Sequence, residues 1–170
     1  IDTISLLQKL AITIDSHEGD YLGSGTLVLI ESEFYVLTAA HCLFDDETQV
    51  INSETFSIKS SEYGQISLLK ESLQRTSIDA VFLKVSSEQV FTGFPEIFFT
   101  DDYRFPCLSF CFRGKPKSPS GNLYTVNNCS INGLGDDGLI NVAIPSQCYT
   151  DFKGETGAGV LEGFSGSGLI

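Results

Sequence analysis

The chain has 170 residues, 42% of them hydrophobic and 19% charged, enough apolar material for one packed domain or two small lobes sharing an interface. Its 22 acidic residues against 10 basic ones give a formal charge of -12, which argues against a nucleic-acid partner, because a phosphate-binding face needs clustered Lys and Arg. The nearest basic group, Arg113, Lys115 and Lys117 in FRGKPKS, reads as a solvated, Pro-containing turn. No apolar run approaches the roughly 20 residues that span a bilayer, so no membrane role is expected.

In chain order, the opening SLLQKL has room for a turn or two of helix. The segments LAITI, GTLVLI, FYVLTAA, FSIKS, QISLLK, AVFLKV, EIFFT, CLSFCF, LYTVNN and LINVAI follow. They are short, rich in β-branched and aromatic residues, and bounded by polar or glycine-bearing turns, the signature of strands. A second helical turn is expected just after His41, in CLFDD. So many short strands predict an all-β sandwich or barrel. The stretch SSEQVFTGFPE, residues 86–96, breaks the alternation and carries Gly93 and Pro95. It predicts a crossing between a first lobe, residues 1–90, and a second, residues 91–170.

The five cysteines, Cys42, Cys107, Cys111, Cys129 and Cys148, are odd in number and scattered, a poor framework for disulfides. Neither Cys107 nor Cys111 has a second Cys or a His pair nearby, so no metal is expected. Buried thiols in a reducing compartment fit better, and IDTISLLQKL has neither the basic lead nor the long apolar core of a signal peptide. The expected location is cytoplasmic.

Three elements carry chemistry. His41 ends the apolar strand EFYVLTAAHC, where a side chain leaves the sheet and can face a cleft. The other histidine, His17, lies in the polar stretch DSHEGD and reads as an exposed turn. Asp79 opens the alternating strand SIDAVFLKV; its carboxylate is either a strand cap or the acceptor that fixes the tautomer of a histidine. Asp45 and Asp46 are rival partners, but they lie too near His41 to sit on a separate strand. Ser165 sits in GFSGSG, a glycine-serine turn or a nucleophile needing both a base and backbone N–H groups aimed at an oxyanion.

Taken together, TAAHC, DAVFLKV and GFSGSG, in the order His, Asp, Ser, resemble the trypsin- and chymotrypsin-like serine peptidases. The spacings, 38 residues (79 − 41) and 86 residues (165 − 79), fit a small member, and GSGTLVLIESEFYVLTAAHC extends the likeness to the hairpin ahead of the histidine. The resemblance implies two antiparallel β-barrels with the site in the cleft between them. By motif position, His41 would be general base and then acid, Asp79 its orienter and Ser165 the nucleophile. The backbone N–H groups of Gly163 and Ser165 would form the oxyanion hole, and no cofactor is implied. The substrate would be a protein or peptide. Gly159, Leu161 and Glu162 would contact it, with uncharged Gly159 at the pocket base favouring a small-to-medium uncharged side chain. An α/β-hydrolase esterase is excluded by the order, since that fold places its serine first.

Several positions depart from the family pattern. Cys42 matches a cysteine that in secreted relatives bridges to the preceding strand, but GSGTLVLI holds no cysteine. Ending at Ile170, five residues after Ser165, leaves the second barrel incomplete, so a longer protein, a further domain or a partner chain is expected to complete it. These departures keep open a second class of function, a catalytically silent peptidase-like module that binds or scaffolds proteins. Phe164 also stands where relatives activated by cleavage carry an aspartate that receives a new N-terminal amine. Phe164 has no charge to receive the amine of Ile1. Ile1→Gly is therefore expected to leave the rate of peptide hydrolysis unchanged, and a large loss would refute this.

Overall fold

The computed structural model describes residues 3–44, 56–69, 74–75, 79–97, 110–114, 124–134, 136 and 140–144. A helix, α1 (Thr3–Leu10), leads directly into a meander of antiparallel strands. Leu7 and Leu10, three apart and hence on one helical face, are buried. In the last turn, Lys9 Nζ donates to the Gly93 carbonyl at 2.7 Å.

The first sheet contains β1 (Ala11–Ser16), β2 (Tyr21–Ile30), β3 (Glu33–Thr38), β4 (Phe56–Ser60), β5 (Gly64–Ile66), β6 (Gln74–Arg75) and β7 (Val81–Lys84). Their order is β5-β4-β1-β2-β3-β7-β6, and every pairing is antiparallel. The β2–β3 hairpin turns on Glu31 and Ser32, with φ of 49° and 70°. Two successive positive φ values match the right-handed twist of the flanking strands, although neither residue is the glycine such a turn favours.

The sheet curls back on itself. Leu68 bridges Val85, the Leu69 N–H donates to the Lys84 carbonyl, and the Ser86 N–H donates to the Ser67 carbonyl. The chain just after β5 thereby meets the chain just after β7. The Gln89 side-chain amide finishes the seam. It donates to the Gln65 carbonyl at 3.0 Å and accepts from the Ser67 N–H at 2.8 Å, the two groups that a neighbouring strand would engage.

Inside this curl, alternate residues make the core: Ile12 and Ile14 of β1, Val36 of β3, and Val81 and Leu83 of β7 are all at most 1% exposed. The segment read as a crossing is docked on this sheet for much of its length. Phe91 and Phe94 pack with Phe34 and Tyr63, ring centroids 4.5 to 6.4 Å apart.

A second sheet, β10-β9-β8, holds β8 (Phe110–Gly114), β9 (Tyr124–Leu134) and β10 (Ile140–Ala143), again antiparallel. β8 approaches α1, β1 and β2. The architecture is the expected one, nearly all β in two antiparallel sheets, with three strands in the second among the described residues. In detail the sequence reading differs in element bounds and at several particular places. Arg113 belongs to β8 instead of lying in a turn, Glu96 and Ile97 are outside any strand, and the two-residue β6 went unread. Cys107, Cys148 and the end of EIFFT lie outside the described residues.

Gly25 marks a close approach of β1, β2 and β3. A Cβ there would stand 2.7 Å from Ile12 Cδ1 and 2.9 Å from the Leu37 carbonyl oxygen. Overpacking of this kind costs about 1–3 kcal/mol. Gly25→Ala is therefore expected to lower the unfolding free energy by that amount, read in urea as a lower midpoint with an unchanged slope, and an unshifted midpoint would show that the strands yield freely.

Candidate active site

The site starts where β3 stops. Thr38 is the last residue of β3 paired on both sides, to Gly25 of β2 and Val81 of β7. Ala39 is extended, and Ala40–Cys42 then form a single 3-10 turn. The Leu43 and Phe44 N–H groups both donate to the Ala40 carbonyl at 2.9 Å, which tightens the turn. Ala40, Cys42, Leu43 and Phe44 are buried while His41 is exposed. Apolar neighbours thus pin the turn to the core and direct the one polar side chain outward. The sequence predicts a helical turn after His41, in CLFDD; the 3-10 turn instead contains His41 and shares only Cys42 with that stretch.

Asp79 arrives from the neighbouring strand. It precedes β7, whose Val81 pairs with Thr38, so the end of β3 and the start of β7 lie side by side. Asp79 is exposed, whereas Val81 and Leu83 along the same strand are buried. Each carboxylate oxygen meets His41. The His41 backbone N–H donates to Oδ1 at 2.9 Å, and His41 Nδ1 hydrogen-bonds Oδ2. The two side chains are each 55% exposed, so this contact sits at the surface.

Burial pushes the Asp79 carboxyl up, but the His41 backbone N–H, the His41 imidazole and the Ala40 N–H together outweigh it. The net result is a carboxyl below its ordinary value. With Nδ1 donating to a carboxylate, the neutral imidazole carries its lone pair on Nε2, the nitrogen that can take a proton.

His17 is exposed in a tight turn, where the Ser16 N–H donates to the Asp20 carbonyl at 2.6 Å, as its polar context implied. Asp45, Asp46, Gly159, Leu161, Glu162, Gly163, Phe164 and Ser165 lie outside the described residues. The structure thus brings together His41 and Asp79 from the predicted set. Among the described residues no group of three or more His, Cys, Asp or Glu side chains is placed to hold a metal ion. No helix among them is long and apolar enough to cross a membrane.

Sequence reasoning missed two buried polar residues beneath the site. Thr38 and Ser24 are 2% and 0% exposed, and Cys42, expected as a buried thiol, is 3% exposed. Burial pushes the Cys42 thiol above its ordinary value, against a smaller opposing effect of the Thr38 hydroxyl beside it. The signal available was the Thr of TAAHC, a polar residue at a core-facing position of β3.

No protein-family model matches the chain, and neither does any curated protein sequence. Solved structures do. A kallikrein-related peptidase 10 in complex with Zn2+ superposes with a TM-score of 0.55 at 14% identity, over 97% of this chain and 78% of that one. A serine endoprotease from Yersinia pestis gives 0.55 at 16% identity, over 100% of this chain and 53% of that one. The fold is that of the trypsin- and chymotrypsin-like serine peptidases. The chain spans about half the length of the Yersinia endoprotease. Within the peptidase fold, backbone agreement at so low an identity reflects a shared pattern of buried and exposed positions, which many side-chain sets satisfy.

The Asp79 carboxyl is expected to titrate below the ordinary aspartate value of about 3.9, followed by carbon NMR. Because its folded-state pKa is depressed, Asp79 stabilises the fold above the unfolded-state value, and that contribution is lost as pH falls through the folded-state value. His41→Ala should raise the midpoint, and an unmoved midpoint would mean that the imidazole contributes nothing.

Proposed function

We propose that this protein is a serine endopeptidase that cleaves peptide bonds through an acyl-enzyme, with His41, Asp79 and Ser165 as its triad. The observation that carries this reading is the double contact of Asp79 with His41, through the backbone N–H and through Nδ1. One contact sets where the imidazole sits and the other sets its tautomer, leaving Nε2 as the base. Surface carboxylates used only as strand caps have no need to hold an imidazole in a single tautomer.

In the proposed reaction, Ser165 Oγ attacks the carbonyl carbon of the scissile bond while its proton passes to His41 Nε2. The N–H groups of Gly163 and Ser165 stabilise the tetrahedral oxyanion. As the C–N bond breaks, the imidazolium returns its proton to the leaving amine. Water then repeats the sequence on the acyl-enzyme, releasing the acid and restoring Ser165. Asp79 stays ionised throughout and stabilises the imidazolium. Gly159, Leu161 and Glu162 contact the substrate, with an uncharged side chain at the cleaved position. The buried thiols Cys42 and Cys129 support a reducing, cytoplasmic location.

Intact-mass spectrometry of the full-length native protein with a fluorophosphonate probe tests this. One adduct is expected, absent in Ser165→Ala, with Asp79→Asn labelled about 10⁴-fold more slowly. A folded wild type that takes up no probe would overturn the peptidase assignment in favour of a silent module that binds proteins.

A further inference from the structure

Both ladders of β3 end on the same residue. Thr38 pairs with Gly25 on one flank and with Val81 on the other; His41 follows it by three residues and Asp79 precedes Val81 by two. Beyond this rung the two chains are no longer held by a ladder. Whatever fixes the direction in which they leave the sheet must act at Thr38 or after it.

Thr38 is 2% exposed, in a strand whose other buried residue, Val36, is apolar. Valine has nearly the same shape, and burying a hydroxyl carries a desolvation cost that valine avoids. The hydroxyl nevertheless has a partner. It donates to the Ser24 carbonyl at 2.7 Å, across the strand pair. Ser24 is itself 0% exposed, and its hydroxyl is hydrogen-bonded to the Tyr21 hydroxyl. Gly25 lets the strands approach closely enough for this bond, since a side chain there would strike Ile12 and the Leu37 carbonyl. On its other side the Thr38 hydroxyl stands beside the Cys42 thiol. Thr38 and Cys42 bracket His41 in the chain, so contact between them closes the turn on both sides of the imidazole.

We propose that Thr38 is a positioning residue for His41 and Asp79: its hydroxyl ties the last rung of β3 to the Ser24 carbonyl and to the Cys42 thiol, and so fixes where the turn carrying His41 leaves the sheet. Thr38 is buried beneath the turn. It acts through the register of the turn. The inference deepens the peptidase reading and rests on it only for the activity readout below.

The test compares Thr38→Val and Thr38→Ser in the full-length native protein, with thermal unfolding to establish that each is folded. Two quantities are read, the Asp79 titration midpoint by carbon NMR and the fluorophosphonate labelling rate of Ser165. Thr38→Val is expected to move the midpoint up, towards that of His41→Ala, and to slow labelling by about 10-fold to 10²-fold. Thr38→Ser, which keeps the hydroxyl, is expected to match wild type in both. If Thr38→Val does not fold, Thr38→Ala removes the hydroxyl while leaving space, and it is read in the same way. A folded variant without the hydroxyl whose Asp79 midpoint stays at the wild-type value overturns the proposal, whatever its labelling rate. A wild type that takes up no probe brings down the peptidase reading instead, and the Asp79 midpoint alone then decides on Thr38.

Discussion

Strand β3 is paired on both flanks, to β2 from Thr38 at one end to Glu33 at the other, and to β7 from Tyr35 to Thr38. A strand held on two sides cannot slip by one residue without turning Val36 outward and Tyr35 into the core, so its register is fixed by burial as much as by hydrogen bonds. That register sets where the chain leaves the sheet towards His41. The β3–β7 ladder sets where Asp79 enters. The two residues meet because two neighbouring strands end and begin at the same level, although 37 residues of chain, 42–78, separate them. Closure of the sheet through Leu68 and Val85 anchors the far end of β7 and keeps that level constant.

The contact itself is at the surface. An exposed ion pair adds little to stability, because water screens it and ordering two side chains opposes it. The geometry of His41 and Asp79 therefore has to be supplied from below. Ala40, Cys42, Leu43 and Phe44 bury the frame of the turn, and the polar chain Tyr21–Ser24–Thr38 runs beneath it. Stability and chemistry occupy adjacent layers: an apolar floor with a few satisfied polar groups, and above it two exposed titratable side chains.

A backbone shared with peptidases at 14% and 16% identity shows how loosely a sheet of this kind constrains its residues. The pattern of buried and exposed positions must be kept; the identities need not be. Function is the reverse case, since it rests on a few side chains in one arrangement and is not conferred by the fold. Cys42 illustrates the difference. It is a buried thiol beside Thr38, and the β2 strand behind it offers no cysteine, so a polar contact stands where a covalent one is absent.

Local chemistry makes much of this legible along the chain. Alternation in LAITI, FYVLTAA and AVFLKV predicts β1, β3 and β7 because each strand has one face in the core, and burial on alternate residues is a property a sequence displays directly. The motifs TAAHC, DAVFLKV and GFSGSG, in the order His41, Asp79, Ser165, point to the peptidase fold through their resemblance to that family. What the sequence left open depends on contacts between distant segments. The two-residue β6 is too short to show a period, and Arg113 becomes part of a strand because β9 pairs with it. The closure by Gln89 joins groups more than 20 residues apart. Likewise, TAAHC shows a threonine and a histidine, but only the paired strands decide that the Thr38 hydroxyl is buried against Ser24 and that both oxygens of Asp79 rest on His41. Side-chain periodicity is written along the chain, whereas the level at which two strands end relative to each other exists only once they are paired.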